Sequence, residues 1–217
     1  MQSVPIGRQL RPHGLLAEAA MRMNPPIHPS GDSTAEQCAE CARSRGCEAC
    51  FEELVRRFQS PLLHFLMRRT RSRHDAEDLL QETFLVAYRK LGRYRSPLRF
   101  STWLFTIAYR LMVSALRKRR EPVAGQIGTA GSSSPLVDAQ ENEIRSGLWE
   151  TAREVLDVEP FTALWLRYVE SMDADQLGQV IGRNANAVRI LLHRARVRLG
   201  EALNQRGLFP EWCHEQE

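Results

Sequence analysis

Apolar residues at three- and four-residue steps are the feature that most constrains what this chain can fold into. One such series comprises Phe51, Leu54, Val55, Phe58, Leu62, Phe65 and Leu66. This spacing places the apolar side chains along one face of an α-helix. Pro61 falls within the series, which predicts a kink or a break close to it. No segment shows the two-residue alternation of a strand, so the sequence predicts an all-α protein.

The remaining helices are predicted from the same spacing and from capping residues. A second helix is predicted over 75–91. A third is predicted to begin near Ser101 or Thr102, because either hydroxyl can cap it. The further predicted helices are 144–158, one that starts at Pro160, one from an Asp173 cap to Ile181 before Gly182, and a last one from an Asn184 cap.

Composition divides the predicted helices into two groups. The segment 121–135 is rich in Gly, Ser and Pro, which is typical of a flexible linker. The first residues of the chain are also rich in Pro, Gly and Ser and show no sustained period, which predicts a mobile extension. The predicted divisions are 1–50 for this flexible extension with its cysteines, 51–120 for a first small helical bundle, 121–143 for the linker, 144–205 for a second, and 206–217 for a tail.

Basic residues are concentrated in two acid-free stretches, although the net charge is only +4. Between Arg89 and Arg120 there are ten Lys or Arg and no Asp or Glu, and between Arg183 and Arg198 there are five Arg and again no acid. The intervening residues 138–159 hold seven acids and two arginines. Two separate basic stretches indicate two contacts with a polyanion such as nucleic acid. Two solvated helix faces are the alternative interpretation.

The last two predicted helices form a helix-turn-helix pattern. A short helix ends at Gly182, and a basic helix follows the Asn184 cap. Such a motif lays its second helix in the major groove of DNA. Any helical hairpin with a basic face would give a similar pattern.

Two stretches are similar to segments of a known family. The sequence DAEDLLQETFLVAYRKLGRY, followed by FSTWLFTIAYRLMVSALRKRR, resembles region 2 of bacterial sigma-70 family RNA polymerase sigma factors of the extracytoplasmic-function (ECF) group. The sequence LRYVESMDADQLGQVIGRNANAVRILLHRARVRLGEAL resembles region 4 of the same group. The resemblance covers 51–120 and 144–204. It implies a subunit that binds core RNA polymerase, directs it to specific promoters and promotes melting of the −10 element.

The start of the second predicted helix carries the residues for which the resemblance implies polymerase binding. Family members dock this segment on the coiled-coil clamp of the largest polymerase subunit. Carboxylates are favoured near a helix N-terminus and can pair with clamp arginines, although a solvated helix start would look the same. The predicted polymerase-binding residues are Asp75, Glu77, Asp78, Gln81 and Glu82.

The acid-free stretch that follows corresponds to the segment with which the family opens the −10 element. Aromatic and arginine side chains there could stack on unpaired bases, whereas Phe100 and Trp103 could instead be core residues. The predicted −10 contacts are Arg93, Tyr94, Arg95, Arg99, Phe100, Arg110 and Arg117. Arg110 replaces the Asn, and Ser114 the Asp, that are common in the family. The family's −10 sequence preference therefore does not transfer to this chain.

The start of the last helix is predicted to read the −35 element, since the N-terminal residues of a recognition helix contact base edges. The predicted −35 contacts are Asn184, Asn186, Arg189, His193, Arg194 and Arg196. Ala187, Ile190 and Leu191 replace polar residues usual in the family. Three interpretations follow: contacts with thymine methyl groups, a helix rotated to bury Ile190, or weak −35 reading.

Other classes of protein are less consistent with the sequence. A stand-alone helix-turn-helix operator-binding regulator is the alternative function, but it leaves the first bundle unexplained. No phosphate-binding loop, metalloprotease or nucleophile-elbow motif occurs, so no enzyme is predicted. Neither a secretory signal nor a membrane span is predicted, which favours the cytoplasm. The resemblance also implies that an anti-sigma factor could restrain the protein.

Four cysteines lie close together in CAECARSRGCEAC, outside the stretches that resemble the family. Their spacing, CxxC–x5–CxxC, offers four thiolates to a tetrahedral metal ion. The tentative metal ligands are Cys38, Cys41, Cys47 and Cys50. No metal is required by the predicted function, and structural zinc, a redox switch and inert thiols remain open. A thiol–disulfide catalyst is disfavoured because its strand–helix setting is absent from the prediction.

Overall fold

The computed structural model describes residues 34–70, 72–95, 99–120 and 139–207, without the side chains of 119–120 and 139–146. The helices in chain order are α1 (Ala35–Arg45), α2 (Glu48–Met67), α3 (Arg73–Lys90), a 3-10 turn (Leu91–Arg93), α4 (Phe100–Arg120), α5 (Ala139–Val155), α6 (Val158–Tyr168), α7 (Ala174–Ile181) and α8 (Ala185–Gln205). No strand occurs within these ranges, so the predicted all-α class is confirmed. The predicted tail beyond residue 207 and most of the predicted linker, 121–138, lie outside them.

The first bundle consists of α1–α4, and α2 lies at its centre, in contact with the other three helices. The apolar stripe predicted from the sequence lies inside, since Leu54, Phe58, Leu62 and Phe65 are almost fully buried. Of the two outcomes predicted at Pro61, the break is wrong, because α2 continues through this buried proline to Met67, and the kink stays a prediction. Burial of the apolar stripe offsets the free-energy cost of the backbone hydrogen bond that Pro61 cannot donate.

Helix α1 differs from the prediction that residues up to 50 form a flexible extension. Thr34 begins the helix with a capping box completed by Gln37, and small apolar residues at helical spacing, Cys38, Ala39 and Ala42, are buried against the bundle. The carboxylate of Glu36 accepts a hydrogen bond from the backbone N–H of Phe100 at 3.3 Å, at the start of α4. Because its apolar face is made of such small residues, α1 gives only a weak periodic signal. Residues 1–33 lie outside the described ranges.

The second bundle consists of α5–α8 around an aromatic cluster. The ring centroids of Trp149 and Trp165 lie 4.7 Å apart, and those of Trp149 and Phe161 lie 5.7 Å apart. Pro160 is the third residue of α6 rather than its first. The Asp173 and Asn184 caps are confirmed, since both side chains accept hydrogen bonds from the backbone of the helix that follows.

The two bundles are in contact, because α4 packs on α7. Glu159 and Arg183, from the second bundle, form an ion pair of 2.8 Å. Burial is the largest cause that raises the pKa of Tyr109 on α4; the charge of Glu159 adds to this effect, and the charge of Arg183 opposes it. Within the described ranges, no helix combines the length and the hydropathy that crossing a membrane requires.

Candidate functional site

The predicted polymerase-binding residues lie along α3, as the sequence indicated. Ser72 caps this helix by accepting a hydrogen bond from the N–H of Asp75 at 3.1 Å, and Glu77 accepts one from Arg73 at 2.7 Å. Asp78, Gln81 and Glu82 are exposed. Three of the five predicted polar side chains are therefore open to a partner, while Asp75 and Glu77 are partly buried.

An apolar groove next to these residues was missed by the sequence analysis. It lies between α2 and α3, has a volume of about 460 Å³, and is lined by Phe51, Val55, Gln59, Leu80, Gln81, Phe84, Leu85 and Tyr88. Leu85 is 56% exposed and Tyr88 is 55% exposed. The ring of Tyr88 packs edge-on against that of Phe51, at a centroid distance of 5.0 Å. Apolar residues at helical spacing are normally assigned to the core. Here two of them, Leu85 and Tyr88, are exposed and line the groove instead.

Two aromatic residues predicted to contact −10 DNA lie in the core instead. Tyr94 is 1% exposed and Phe100 is 0% exposed. Their rings pack edge-on at 5.6 Å, and Trp103 lies 5.5 Å from Tyr94. Burial raises the pKa of Tyr94 to about 12. Neither ring is accessible for stacking on a base, so this part of the prediction is wrong for the conformation described.

The arginines predicted to contact −10 DNA are exposed. Arg93 and Arg95 follow α3, Arg99 precedes α4, and the side chains of Arg110 and Arg117 project from α4 itself. The aromatic cluster of Tyr94, Phe100 and Trp103 anchors the chain at both sides of 96–98, which lie outside the described residues. The arrangement presents five cationic side chains from the segment for which DNA contact was predicted.

The helix-turn-helix is formed by α7 and α8. Gly182 ends α7 in the left-handed region at φ 77°, which glycine adopts without steric cost. The carbonyl of Gly178 accepts hydrogen bonds from the N–H groups of Gly182 and Arg183, at 2.8 and 2.9 Å. A Cβ atom at Gly178 would overlap the carbonyl oxygen of Arg183. Both glycines therefore fix the turn that sets the angle between the two helices.

Most of the predicted −35 residues lie on the open surface of α8. Asn186, Arg189, His193 and Arg194 are exposed, and Arg189 donates a hydrogen bond to Asn186 Oδ1 at 2.8 Å. The Asn184 side chain accepts a hydrogen bond from the N–H of Ala187 at 2.8 Å, so one of its acceptors is already occupied as the helix cap.

Two further residues of α8, Ile190 and Arg196, bear on the predicted −35 surface. Ile190 is 53% exposed, so the interpretation in which the helix rotates to bury it is wrong. Arg196 is partly buried, and its Nη1 donates to the hydroxyl of Tyr168 at 3.1 Å. Its guanidinium thus has a packing role against α6, and contact of Arg196 with the −35 element stays a prediction.

Three of the four tentative metal ligands lie together at the turn between α1 and α2. The Sγ atoms of Cys41, Cys47 and Cys50 are all within 4.8 Å of one another. Cys38 is 5% exposed and lies in the core, outside this group. A hydrogen bond from the backbone N–H of Cys50 is the largest cause that lowers the pKa of Cys47. The hydrogen bond between the two side chains is the largest cause that raises the pKa of Cys50, to about 12.

Comparison with known proteins identifies the family. The family model described as Sigma-70 region 2 matches residues 54–121. The RNA polymerase sigma factor CarQ of Myxococcus xanthus is 33% identical over 162 residues, which cover 74% of this chain and 92% of CarQ. The RNA polymerase sigma-H factor of Pseudomonas aeruginosa is 30% identical over 73% of this chain and 89% of that protein.

Solved structures share the fold at lower identity. CnrH, in complex with the cytosolic domain of CnrY, has a TM-score of 0.58 and 22% identity, over 79% of this chain and 95% of CnrH. The sigma factor RpoE of Bartonella quintana, in complex with the anti-sigma factor NepR, also has a TM-score of 0.58, at 21% identity over 71% of this chain and 96% of RpoE.

The chain belongs to the sigma-70 family of RNA polymerase sigma factors, in the ECF group. It is an RNA polymerase sigma factor that directs promoter-specific initiation of transcription, a subunit without enzymatic activity of its own. The first bundle, α1–α4, contains the region 2 match.

Proposed function

We propose that the apolar groove between α2 and α3 is the surface by which this sigma factor binds the core polymerase in the cytoplasm. The observation that carries the proposal is the juxtaposition of Leu85 and Tyr88, both more than half exposed, with the acidic side chains of Asp78 and Glu82, which lie about one to three turns before them on α3. An apolar centre with a charged rim is the usual anatomy of a protein interface. Because of these acids, the groove is complementary to a partner whose surface is apolar and edged with arginine or lysine. The clamp of the polymerase is proposed to be that partner.

Promoter DNA is the second proposed partner, with contacts from both bundles. The exposed arginines of the first bundle, Arg93, Arg95, Arg99, Arg110 and Arg117, are proposed to contact the −10 element, chiefly through phosphates. The exposed surface of α8, with Asn186, Arg189, His193 and Arg194, is proposed to contact the −35 element. Ile190, exposed among these polar residues, suits a thymine methyl group.

An anti-sigma factor is the third proposed partner. The support is that RpoE of Bartonella quintana, which shares this fold, was solved with its anti-sigma factor NepR. A chain that occupied the groove between α2 and α3 would compete with the polymerase for the same apolar residues.

A binding measurement with core polymerase tests the groove. Replacing Leu85 and Tyr88 together with Ala is expected to weaken binding by at least about tenfold, as for residues at the centre of an interface. The matched control replaces Ile190 and Val197, which are exposed to a similar degree on α8, at 53% and 48%. Core affinity equal to wild type in the groove variant, with its fold intact by circular dichroism, would contradict the proposal.

A further inference from the structure

The turn between α1 and α2 brings three thiols to one point. Gly46 ends α1 in the left-handed region, at φ 63° and ψ 28°, and its N–H donates to the carbonyl of Ala42 at 3.1 Å. Cys47 follows in extended conformation as the N-cap of α2. This tight reversal sets Cys41, in the last turns of α1, opposite Cys47 and Cys50 at the start of α2.

We propose that Cys41, Cys47 and Cys50 bind one thiophilic divalent metal ion, zinc in the simplest case, through their three Sγ atoms. Zn–S bonds of about 2.3 Å at tetrahedral angles place the sulfur atoms about 3.8 Å apart. The three Sγ atoms already lie within 4.8 Å of one another. To reach that spacing the sulfur atoms approach one another by about 1 Å or less, a distance on the scale of a side-chain rotation.

The number of converging thiols favours a metal over a disulfide. A disulfide joins two sulfur atoms and leaves the third without a role, whereas a thiolate-bound ion uses all three. All three cysteines are partly exposed and none of them forms a disulfide bond, so an ion can reach them from solvent. Binding converts the three thiols to thiolates and releases their protons. With three protein ligands, the fourth tetrahedral position is left to a water molecule.

Cys38 is excluded from the site by its place on α1. It precedes Cys41 by three residues and is buried against the core of the first bundle, beside Ala39 and Ala42. A four-cysteine site would require this side chain to leave the core, where a cysteine behaves as a small apolar residue. The proposal therefore differs from a Cys₄ site in its ligand set.

Metal analysis under reducing conditions tests the proposal without reference to polymerase or DNA. The full-length protein, loaded with zinc chloride and freed of excess metal, is expected to retain about one equivalent of zinc. The single variants C41S, C47S and C50S are each expected to retain less than about a tenth of an equivalent. C38A and C213S, which keep the three proposed ligands, are expected to bind as wild type does.

The absorption of the cobalt-loaded protein is a second measurement, because it reports the number of thiolate ligands rather than the amount of metal that is retained. The thiolate-to-cobalt absorption of the Co²⁺-loaded protein is expected at an intensity that corresponds to three thiolates, unchanged in C38A. Wild-type protein that retains less than about a tenth of an equivalent of zinc with its thiols reduced would overturn the proposal. Loss of metal from C38A with its helical content intact would also overturn it, because Cys38 would then be a ligand.

Discussion

Arg69 donates a hydrogen bond from Nη1 to the backbone carbonyl of Arg153, 3.1 Å away, and so joins the end of α2 to the end of α5. The same nitrogen lies 3.4 Å from the carbonyl of Leu156, and the guanidinium lies 5.0 Å from the ring centroid of Phe161. The last carbonyls of a helix have no partner within it and carry partial negative charge. Arg69, from the first bundle, therefore serves as a C-terminal cap for a helix of the second.

Replacing Arg69 with Ala is expected to lower the free energy of unfolding by about 1–3 kcal/mol, because two partly buried carbonyls lose their charged donor. Urea unfolding followed by circular dichroism measures the change. Arg73→Ala is the matched control, since Arg73 is exposed and its ion pair is with Glu77 on its own helix, and such surface pairs contribute little. Equal stability of the two variants would show that the contact between bundles contributes nothing measurable.

Replacing Gly178 with Ala is expected to destabilise the second bundle by about 1–3 kcal/mol or more, because the new Cβ would overlap the carbonyl of Arg183. Promoter affinity should fall as well, since the turn orients α8. Gly200→Ala is a matched control, because a Cβ at Gly200 meets nothing within 4 Å. An alanine within a helix is expected to stabilise it by about 0.5–1 kcal/mol. If both variants shifted stability in the same direction, the steric explanation would be wrong.

Glu170 is expected to make stability depend on pH. Its Oε1 atom is buried, with no hydrogen-bond partner among the described residues, and burial raises its pKa to about 7. Since the folded-state pKa is above the unfolded value, the contribution of the protonated carboxyl is present at low pH and is lost as pH rises through about 7. The stability gained by Glu170→Gln over wild type is expected to grow by up to about 2 kcal/mol between about pH 5 and pH 8.

Urea unfolding of both proteins across that pH range measures this difference. Because every other titrating group is common to the two proteins, the difference isolates Glu170. A gain that stays constant with pH would mean that Glu170 is ionised in the folded protein throughout.

Helix positions and caps could be predicted from the sequence because they depend on neighbours within one or two turns. Asp173 and Asn184 are examples, since a capping side chain bonds to the backbone three residues ahead. Burial of an aromatic residue depends on residues far along the chain. Tyr94 and Phe100 lie next to Arg93, Arg95 and Arg99 in the sequence, yet their rings pack with each other and with Trp103 inside the bundle.

The distinction between contacts within one helix and contacts far along the chain also explains what the sequence did not reveal at the groove and at the cysteines. Leu85 and Tyr88 have the spacing of core residues, and only the position of α2 shows that they border an open groove. The CxxC spacing suggested four equivalent thiols. The packing of α1 against the first bundle instead separates Cys38 from the other three.

Arginine substitutions on α8 are expected to separate DNA contact from packing. Arg189 is exposed, so Arg189→Ala should leave stability nearly unchanged and weaken binding to promoter DNA about 5- to 100-fold, as for the loss of one good base or phosphate contact. Arg196 donates to the hydroxyl of Tyr168, so Arg196→Ala should lower stability and have a smaller effect on DNA affinity. Fluorescence anisotropy with a promoter fragment, alongside urea unfolding, measures both quantities. A larger loss of DNA affinity in Arg196→Ala than in Arg189→Ala would reverse the assignment and place Arg196 at the DNA surface.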